Sequence, residues 1–251
     1  MSTWVLLRGL MRESRHWGEF PAILSKELGG PAVLAFDLPG NGSLYQMASP
    51  MRVEDMAEFC RTELRARGLA PPYRLLALSL GAMVAVAWAT RHPDEISRAV
   101  LINTSLRPFS PFYHRLRAQN YPGLLGLALT GGITKQEKLI LRMTSNHGVD
   151  KEDTLKFWVA YQQQYPVSRR NALRQLAAAV RYRAPIASPT APMLILASAM
   201  DQLVDTRCST RLAARWQTGL AVHPSAGHDL PLDDGAWVAR QVREWVELRH
   251  A

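Results

Sequence analysis

A chain of 251 residues is long enough to bury a large core as one domain, and 47% hydrophobic with 20% charged residues is typical of a soluble globular protein. These values exclude a disordered chain, and the longest apolar run, Leu75 to Ala89, is interrupted by Ser79 and Gly81 and too short to span a membrane. No basic segment followed by a long apolar core opens the sequence, so we expect no secretory signal and a cytoplasmic location.

The first half of the chain predicts four buried strands alternating with helices. Strands are expected at Thr3 to Arg8, Pro31 to Phe36, Tyr73 to Leu78 and Arg98 to Ile102. Helices are expected at His16 to Leu28, at Val53 to Arg67, and in an alanine-rich stretch that follows Ser79 and stops before His92.

The middle of the chain has a different pattern. Residues 106–189 show no strand-like run, and helices are expected at Phe112 to Ala118, Lys135 to Met143, Glu152 to Tyr165 and Ser168 to Tyr182. We therefore expect a helical cap (lid) over residues 106–189, inserted into a core made of residues 1–105 and 190–251. The second part of that core should contain strands at Met193 to Ala199 and Gly219 to Val222, and helices at Thr206 to Trp216 and Gly235 to Arg249.

The formal net charge of +9 is concentrated in this middle segment. Between Ser105 and Thr190 there are 13 Lys and Arg against 4 Asp and Glu, and the other residues carry 17 of each. Two interpretations remain open, solvated helix faces or a positive surface for an acidic partner or an anionic substrate. The two cysteines, Cys60 and Cys208, offer neither a disulfide framework nor a metal-binding spacing, so we expect a reducing compartment and no metal.

Strands that alternate with helices predict an α/β fold in which a mainly parallel sheet carries helices on both faces. Ligands of such sheets bind at the carboxyl ends of the strands. This edge should hold Gly9, Asp37, Ser79, Asn103, Asp201 and the loop around His228.

The stretch Ala77-Leu78-Ser79-Leu80-Gly81 has the features of a nucleophile elbow, in which a serine sits on a strained turn between a strand and a helix. Only small side chains fit two positions before and after such a serine, and Ala77 and Gly81 meet that demand. The alternative is a serine that caps a helix.

A serine hydroxyl is a poor nucleophile unless a base takes its proton and an acid orients that base. Asp201 and His228 each follow a predicted strand, in the order that this type of sheet requires, so we assign them as acid and base. Asp205 is the main alternative acid but is better explained as a helix N-cap, and Asp229 should point away from the ring beside it. Asp233 and Asp234 precede a helix.

Backbone N–H groups should hold the negative oxygen that forms during catalysis. One is expected from Leu80, next to the serine, and the other from the loop after the first strand, where Leu10 is the natural candidate.

Together these features resemble an α/β-hydrolase-fold serine hydrolase of the carboxylesterase-like group with a helical cap. The resemblance covers nearly the whole chain and rests on Arg8-Gly9-Leu10, Asp37-Leu38-Pro39-Gly40-Asn41-Gly42, the elbow, Asp201-Gln202-Leu203-Val204 and Gly227-His228. Two positions depart from the family pattern: Arg8 stands where the family often has His, and Ala77 where it often has Gly.

The resemblance implies hydrolysis of an ester or thioester through an acyl-serine intermediate, without a metal or organic cofactor. The basic segment keeps open an acyl group delivered on an acidic carrier protein or on coenzyme A, as in the similar pimeloyl-carrier-protein methyl ester esterases. Carbon–carbon bond hydrolysis on the same residues and a non-catalytic binding protein are further alternatives. No nucleic-acid partner is expected, because the basic segment lacks a recognised motif, and no membrane insertion.

The cap of such enzymes usually shapes the acyl pocket, which the resemblance therefore places among its apolar side chains. Those we expect to bind substrate are Phe112, Tyr121, Phe157 and Trp158. The same segment also offers Phe109, Tyr113, Leu124, Leu125 and Tyr161, most of which could instead pack the cap helices together.

Overall fold

One parallel sheet forms the centre of the structure, a computed structural model that describes residues 3–129, 132–147 and 151–248. Its six strands in those ranges are β1 (Trp4–Leu7), β2 (Val33–Phe36), β3 (Tyr73–Leu78), β4 (Ile96–Ile102), β5 (Met193–Ser198) and β6 (Gly219–His223). They lie in the order β2-β1-β3-β4-β5-β6, and every neighbouring pair is parallel. The predicted parallel sheet is confirmed.

The described residues also contain ten α-helices. They are α1 (Phe20–Glu27), α2 (Val53–Ala66), α3 (Leu80–Arg91), α4 (Phe112–Arg115), α5 (Tyr121–Leu129), α6 (Ile133–Thr144), α7 (Lys151–Gln164), α8 (Arg169–Arg181), α9 (Arg207–Trp216) and α10 (Leu230–Glu247). None of these described helices combines the length and hydropathy needed to cross a bilayer.

Alternation along the strands divides the core into two layers, because successive side chains of a strand point to opposite faces. Val5 and Leu7 pack with residues of α2, α3 and α9 on one face of the sheet. Trp4 and Leu6 pack with residues of α1 and α10 on the other. Both faces are therefore covered, which explains why strands such as β3 and β5 are apolar throughout.

Four helices differ from the sequence prediction. The helix expected at Phe112 to Ala118 ends at Arg115, because the backbone of Leu116 is extended, with φ −144°. The helix expected at His16 to Leu28 is a 3₁₀ turn at Ser14–Trp17 followed by α1, because Gly18 between them has a positive φ of 52°. Helix α10 starts five residues before the expected Gly235 and is kinked at Asp234, where φ is −153°. Helix α5 was not predicted, because Pro122, Gly123 and Gly126 favour a loop and its apolar residues show no helical period. The expected end of the last helix, Arg249, lies outside the described residues.

Helices α4 to α8, residues 112–181, connect β4 to β5 and are called the helical segment below. Polar contacts attach it to the sheet layer, among them those of Gln175 and Thr144. Gln175 of α8 accepts from the Met11 N–H (2.9 Å) and donates to Asn41 Oδ1 (2.7 Å) and Ser49 Oγ (3.0 Å). At the end of α6, the Thr144 carbonyl accepts from the Asp229 N–H at 2.7 Å. The segment therefore contacts the loop after β1 and the loop after β6.

Candidate active site

Ser79 occupies the turn between β3 and α3 in a backbone conformation that side chains rarely adopt, with φ 55° and ψ −113°. A side-chain carbon at Gly81 would lie 2.7 Å from the Arg8 carbonyl oxygen, so only glycine fits there. One at Gly9 would lie 3.3 Å from the Ser79 Cβ. The close approach of β1 to the turn therefore explains both glycines, of which Gly81 was expected from the elbow pattern.

Asp201 and His228 form a buried hydrogen-bonded pair. His228 Nδ1 lies 2.8 Å from Asp201 Oδ2, and the side chains are 5% and 1% exposed. The other oxygen, Oδ1, accepts from the N–H groups of Leu203 (2.7 Å) and Val204 (2.9 Å). Because a carboxylate only accepts, the ring hydrogen sits on Nδ1, which leaves Nε2 able to take up a proton.

Asn103 holds the His228 loop in place, a role not expected from the sequence. It follows β4 with a positive φ of 44°. Its Nδ2 donates to the His228 carbonyl oxygen (2.8 Å) and to Ser198 Oγ (3.0 Å), and its Oδ1 accepts from the Ser198 N–H (2.8 Å). The amide thus joins the ends of β4 and β5 to the backbone of His228. Its position after a predicted strand was the available signal.

Ser79 and His228 line the same cavity, whose volume is about 120 Å³. Most of its wall is aliphatic and comes from four parts of the chain: the loop after β1, the end of β3, the helical segment and the loop after β5. The apolar lining residues are Leu10, Met11, Leu78, Leu124, Ile140, Met143 and Leu203. The cavity therefore offers an apolar space of limited size beside the serine.

Two backbone N–H groups belong to residues next to this serine: Leu80 follows Ser79 in sequence, and Leu10 lies in the loop after β1, the strand that pairs with β3. Leu10 lines the cavity, and Leu80 is the first residue of α3, where backbone N–H groups lack intrahelical acceptors. Within the described ranges neither N–H has a hydrogen-bond acceptor. The Met11 N–H, by contrast, donates to Gln175. Two donors are thus left available to a ligand oxygen.

The aromatic residues expected to bind substrate do not line this cavity. Phe112 and Phe157 are 72% and 59% exposed, and Tyr121 is also exposed. Trp158 is buried but reaches the site only by packing against Arg12. Leu124, Ile140 and Met143 of the helical segment stand at the cavity instead, because their helix faces turn towards the sheet. The side chain of Leu125 lies outside the described residues.

Arg8, which departs from the family pattern, is neutralised at the site. Its Nη1 and Nη2 bind the two oxygens of Asp229, at 3.0 and 2.5 Å, and both side chains are almost fully buried. The guanidinium also lies over the Trp17 ring, 4.8 Å from its centroid. Asp229 is therefore committed to Arg8, in agreement with the expectation that it points away from His228.

The remaining candidate acids serve structural contacts. Asp205 lies one residue before the actual N-cap, Thr206, which corrects the predicted cap by one position. Its Oδ1 accepts from the Arg207 N–H at 2.9 Å, and the Arg207 side chain lowers the pKa of the Asp205 carboxyl. Asp234 accepts from the Trp237 N–H at 2.8 Å beyond the kink of α10.

Asp233 joins the helical segment to the loop that carries His228. Its carboxylate accepts from Ser145 Oγ (2.6 Å), the Asn146 N–H (2.9 Å) and the Gly227 N–H (2.6 Å). Gly227 directly precedes His228, so this carboxylate contacts both sides of the cavity rim.

A buried polar cluster of Arg12, His16 and Glu137 borders the cavity through Arg12. Arg12 Nη1 lies 2.8 Å from Glu137 Oε2 and 3.1 Å from His16 Nε2. Burial, followed by the charges of Arg12 and Arg8, holds the pKa of His16 well below its usual range, so the ring is neutral at pH 7.

A parallel sheet, a serine on a strained strand-to-helix turn and a buried His–Asp pair beyond later strands define the α/β-hydrolase class of architecture. The chain belongs to the alpha/beta hydrolase family, whose sequence model matches residues 4–241. The α/β-hydrolase family expected from the sequence is confirmed.

Individual similar proteins are distant or match only in part. The chain is 33% identical over 105 residues to the biotin biosynthesis bifunctional protein BioHC of Teredinibacter turnerae, a match that covers 41% of this chain and 17% of that protein. A putative lipase of Acinetobacter baumannii superposes with a TM-score of 0.78 at 21% identity, covering 98% of this chain and 83% of the lipase. A thermophilic esterase of Thermogutta terrifontis gives 0.73 at 21% identity, covering 100% and 91%. These structural likenesses show the shared fold.

Proposed function

We propose that this protein is a serine hydrolase that cleaves a carboxylic ester or thioester of a small molecule through an acyl-serine intermediate. The observation that carries the proposal is the buried 2.8 Å contact of Asp201 with His228, whose ring lines one cavity with the strained Ser79. The lipase and the esterase described above are, by their names, enzymes that cleave esters, and this supports an ester as the substrate of this protein. A cytoplasmic location is part of the same proposal.

The proposed mechanism divides the work among three side chains. Ser79 Oγ attacks the acyl carbon while His228 Nε2 takes its proton, and Asp201 stabilises the imidazolium that forms. The proton then passes to the leaving alcohol or thiol. In the second step His228 activates a water that releases the acid and restores Ser79.

Two further parts of the molecule assist this chemistry in the proposal. The free N–H groups of Leu10 and Leu80 hold the oxyanion, and one such donor contributes about 3 kcal/mol to transition-state stabilisation. The helical segment acts as the cap, since Leu124, Ile140 and Met143 line the cavity that holds the serine. An apolar wall limits the access of water to the acyl group.

The proposal predicts the behaviour of two variants. Ser79→Ala should abolish labelling by a fluorophosphonate probe and lower kcat on short 4-nitrophenyl esters by about 10³-fold or more. Asp201→Asn should keep the fold, because the amide oxygen still accepts from Leu203 and Val204, yet lower kcat by about 10³ to 10⁴-fold.

Ser43→Ala, at an exposed position of a 3₁₀ turn where the hydroxyl donates to Asp37, is the matched control and should keep both labelling and turnover. Wild-type protein that resists the probe, together with unchanged turnover in Ser79→Ala, would rule out the mechanism and leave a non-catalytic binding protein.

A second candidate is an acyl substrate delivered on an acidic carrier protein or coenzyme A. Its supporting observation is a set of exposed cations of the helical segment that form no ion pair within the described ranges: Lys135, Lys138, Arg142, Arg169, Arg170 and Arg181. Docking through exposed charges weakens as salt screens them. We predict that raising the salt from about 0.05 to 0.5 M lowers kcat/KM for the carrier-bound ester at least about 10-fold and leaves a small neutral ester within about two-fold. Equal salt dependence of the two substrates would exclude the docking.

A further inference from the structure

A second arginine on the cavity wall has an N–H group without an acceptor. Arg12 is 8% exposed and lines the cavity that holds Ser79 and His228. Its Nη1 contacts Glu137 and His16, whereas its buried Nη2 has no hydrogen-bond partner within the described residues. A buried charged donor without an acceptor is unfavourable, so a ligand oxygen that reached it would bind with a gain.

Arg8 and Arg12 differ in how their charges are neutralised. Asp229 binds both terminal nitrogens of Arg8, and only the Arg8 Nε lacks a partner. Glu137 binds a single terminal nitrogen of Arg12. Arg12 also lies over the Trp158 ring, 4.3 Å from its centroid, which fixes the plane of the guanidinium. Of these two arginines, Arg12 is therefore the one whose guanidinium is held in a fixed orientation and has a terminal nitrogen without a hydrogen-bond acceptor among the described residues.

The size and lining of the cavity limit what could reach Arg12. The wall is aliphatic apart from the charged and polar groups already described, and a volume of about 120 Å³ holds roughly four waters. A short aliphatic group that ends in an anionic oxygen fits both the apolar wall and the free N–H. The acyl group is the part of an ester that stays on Ser79 through both chemical steps, so the enclosed space should hold it.

We propose that Arg12 binds a free carboxylate on the acyl group, so that the preferred substrates are monoesters of short dicarboxylic acids. This inference rests on the proposed ester hydrolysis at Ser79. In this assignment Arg12 determines specificity and takes no part in proton transfer.

The first test compares two ethyl esters of the same shape. The ethyl monoester of butanedioic acid carries the carboxylate, and in ethyl 4-methylpentanoate an uncharged isopropyl group replaces it. Ethyl esters are used because a neighbouring carboxylate cleaves aryl esters unaided. The released acid is measured by titration. We expect kcat/KM to be at least about 10-fold higher for the charged ester, because a charge-assisted hydrogen bond contributes at least that factor to binding. An equal or lower value for the charged ester would overturn the inference.

The second test removes the charge of Arg12 without leaving its partner unpaired. The double variant Arg12→Gln/Glu137→Gln should lower kcat/KM for the charged ester by about 10 to 100-fold and change the uncharged ester less than about three-fold. If Arg12 had only a structural role, the double variant would lower kcat/KM for both esters to the same extent. A double variant that still preferred the charged ester as strongly as the wild-type protein does would contradict the proposal. Arg170→Gln, at an exposed position of α8, is the control for loss of one positive charge.

A binding measurement separates this inference from the proposed function. If the folded wild-type protein cleaves neither ester and also resists the fluorophosphonate probe, the proposed function fails, and titration calorimetry of the butanedioate monoester with Ser79→Ala protein still tests Arg12. Binding weakened about 10-fold or more by the double variant supports the anion site, and equal binding overturns it.

Discussion

Among the described residues, Asp229 is the one that neutralises the positive charge of Arg8 at the cavity wall. Asp229 binds both terminal nitrogens of Arg8 in a buried pair. Removing one partner of such a pair leaves an uncompensated charge, whereas removing both often costs little.

We therefore predict that Asp229→Ala lowers the free energy of unfolding by about 3 to 5 kcal/mol, measured by urea denaturation. The double variant Arg8→Met/Asp229→Leu should recover much of this loss. A single variant as stable as the wild-type protein would show that Arg8 finds another partner or reaches water.

The sequence sufficed for residues whose role follows from local position. Ser79, Asp201 and His228 each follow an apolar strand, and Gly81 follows from the tight elbow. The Arg8–Asp229 pair spans 221 positions, and Asn103 bonds to residues 95 and 125 positions away. Such partners depend on how strands order in the sheet, which local pattern does not contain.

At the scale of elements, Asp233 of α10 joins the end of α6 to the loop after β6. A charged acceptor that satisfies several donors contributes more than a neutral one. The position of α6 over the cavity should therefore depend on this carboxylate.

Asp233→Ala should speed amide hydrogen exchange at residues 144–147 and 227–229 and lower the free energy of unfolding by roughly 2 to 4 kcal/mol. Asp234→Ala is the matched control, because it removes the cap at Trp237 without touching α6. Unchanged exchange at both loops in Asp233→Ala would contradict the role assigned to this carboxylate.

The positions of the strands and of most helices along the chain followed from hydrophobic period and breakers, but helix faces did not. The aromatic residues Phe112 and Phe157 were expected at the substrate, and the structure exposes them. Composition indicates that apolar surface is available in the helical segment. It does not tell which face of each helix turns to the sheet, because that depends on packing between helices distant in sequence.

At the scale of the whole molecule, the buried neutral His16 makes stability depend on pH. Its pKa is lowered in the folded protein, first by burial and then by Arg12 and Arg8. Below about pH 6.5 the unfolded chain binds a proton that the folded protein does not, so stability falls as the pH falls.

We predict a loss of up to about 1.4 kcal/mol per pH unit between about pH 6.5 and the folded pKa of His16, measured as urea midpoints from about pH 7.5 to 5. His16→Gln should flatten this slope. A smaller slope should remain from His114, whose pKa is also lowered by burial and by Arg207. An unchanged slope in His16→Gln would show that His16 does not carry the effect.

The attachment of the helical segment through Gln175 bears on how freely such segments can be exchanged between relatives. The Gln175 amide binds the Met11 N–H, Asn41 and Ser49, so the loop after β1, the loop after β2 and α8 depend on one another for their hydrogen bonds. A segment of residues 112–181 grafted onto another hydrolase sheet would leave these donors and acceptors unmatched. A chimaera would therefore have to carry Asn41, Ser49 and Asp233 with the helices, as one inherited unit.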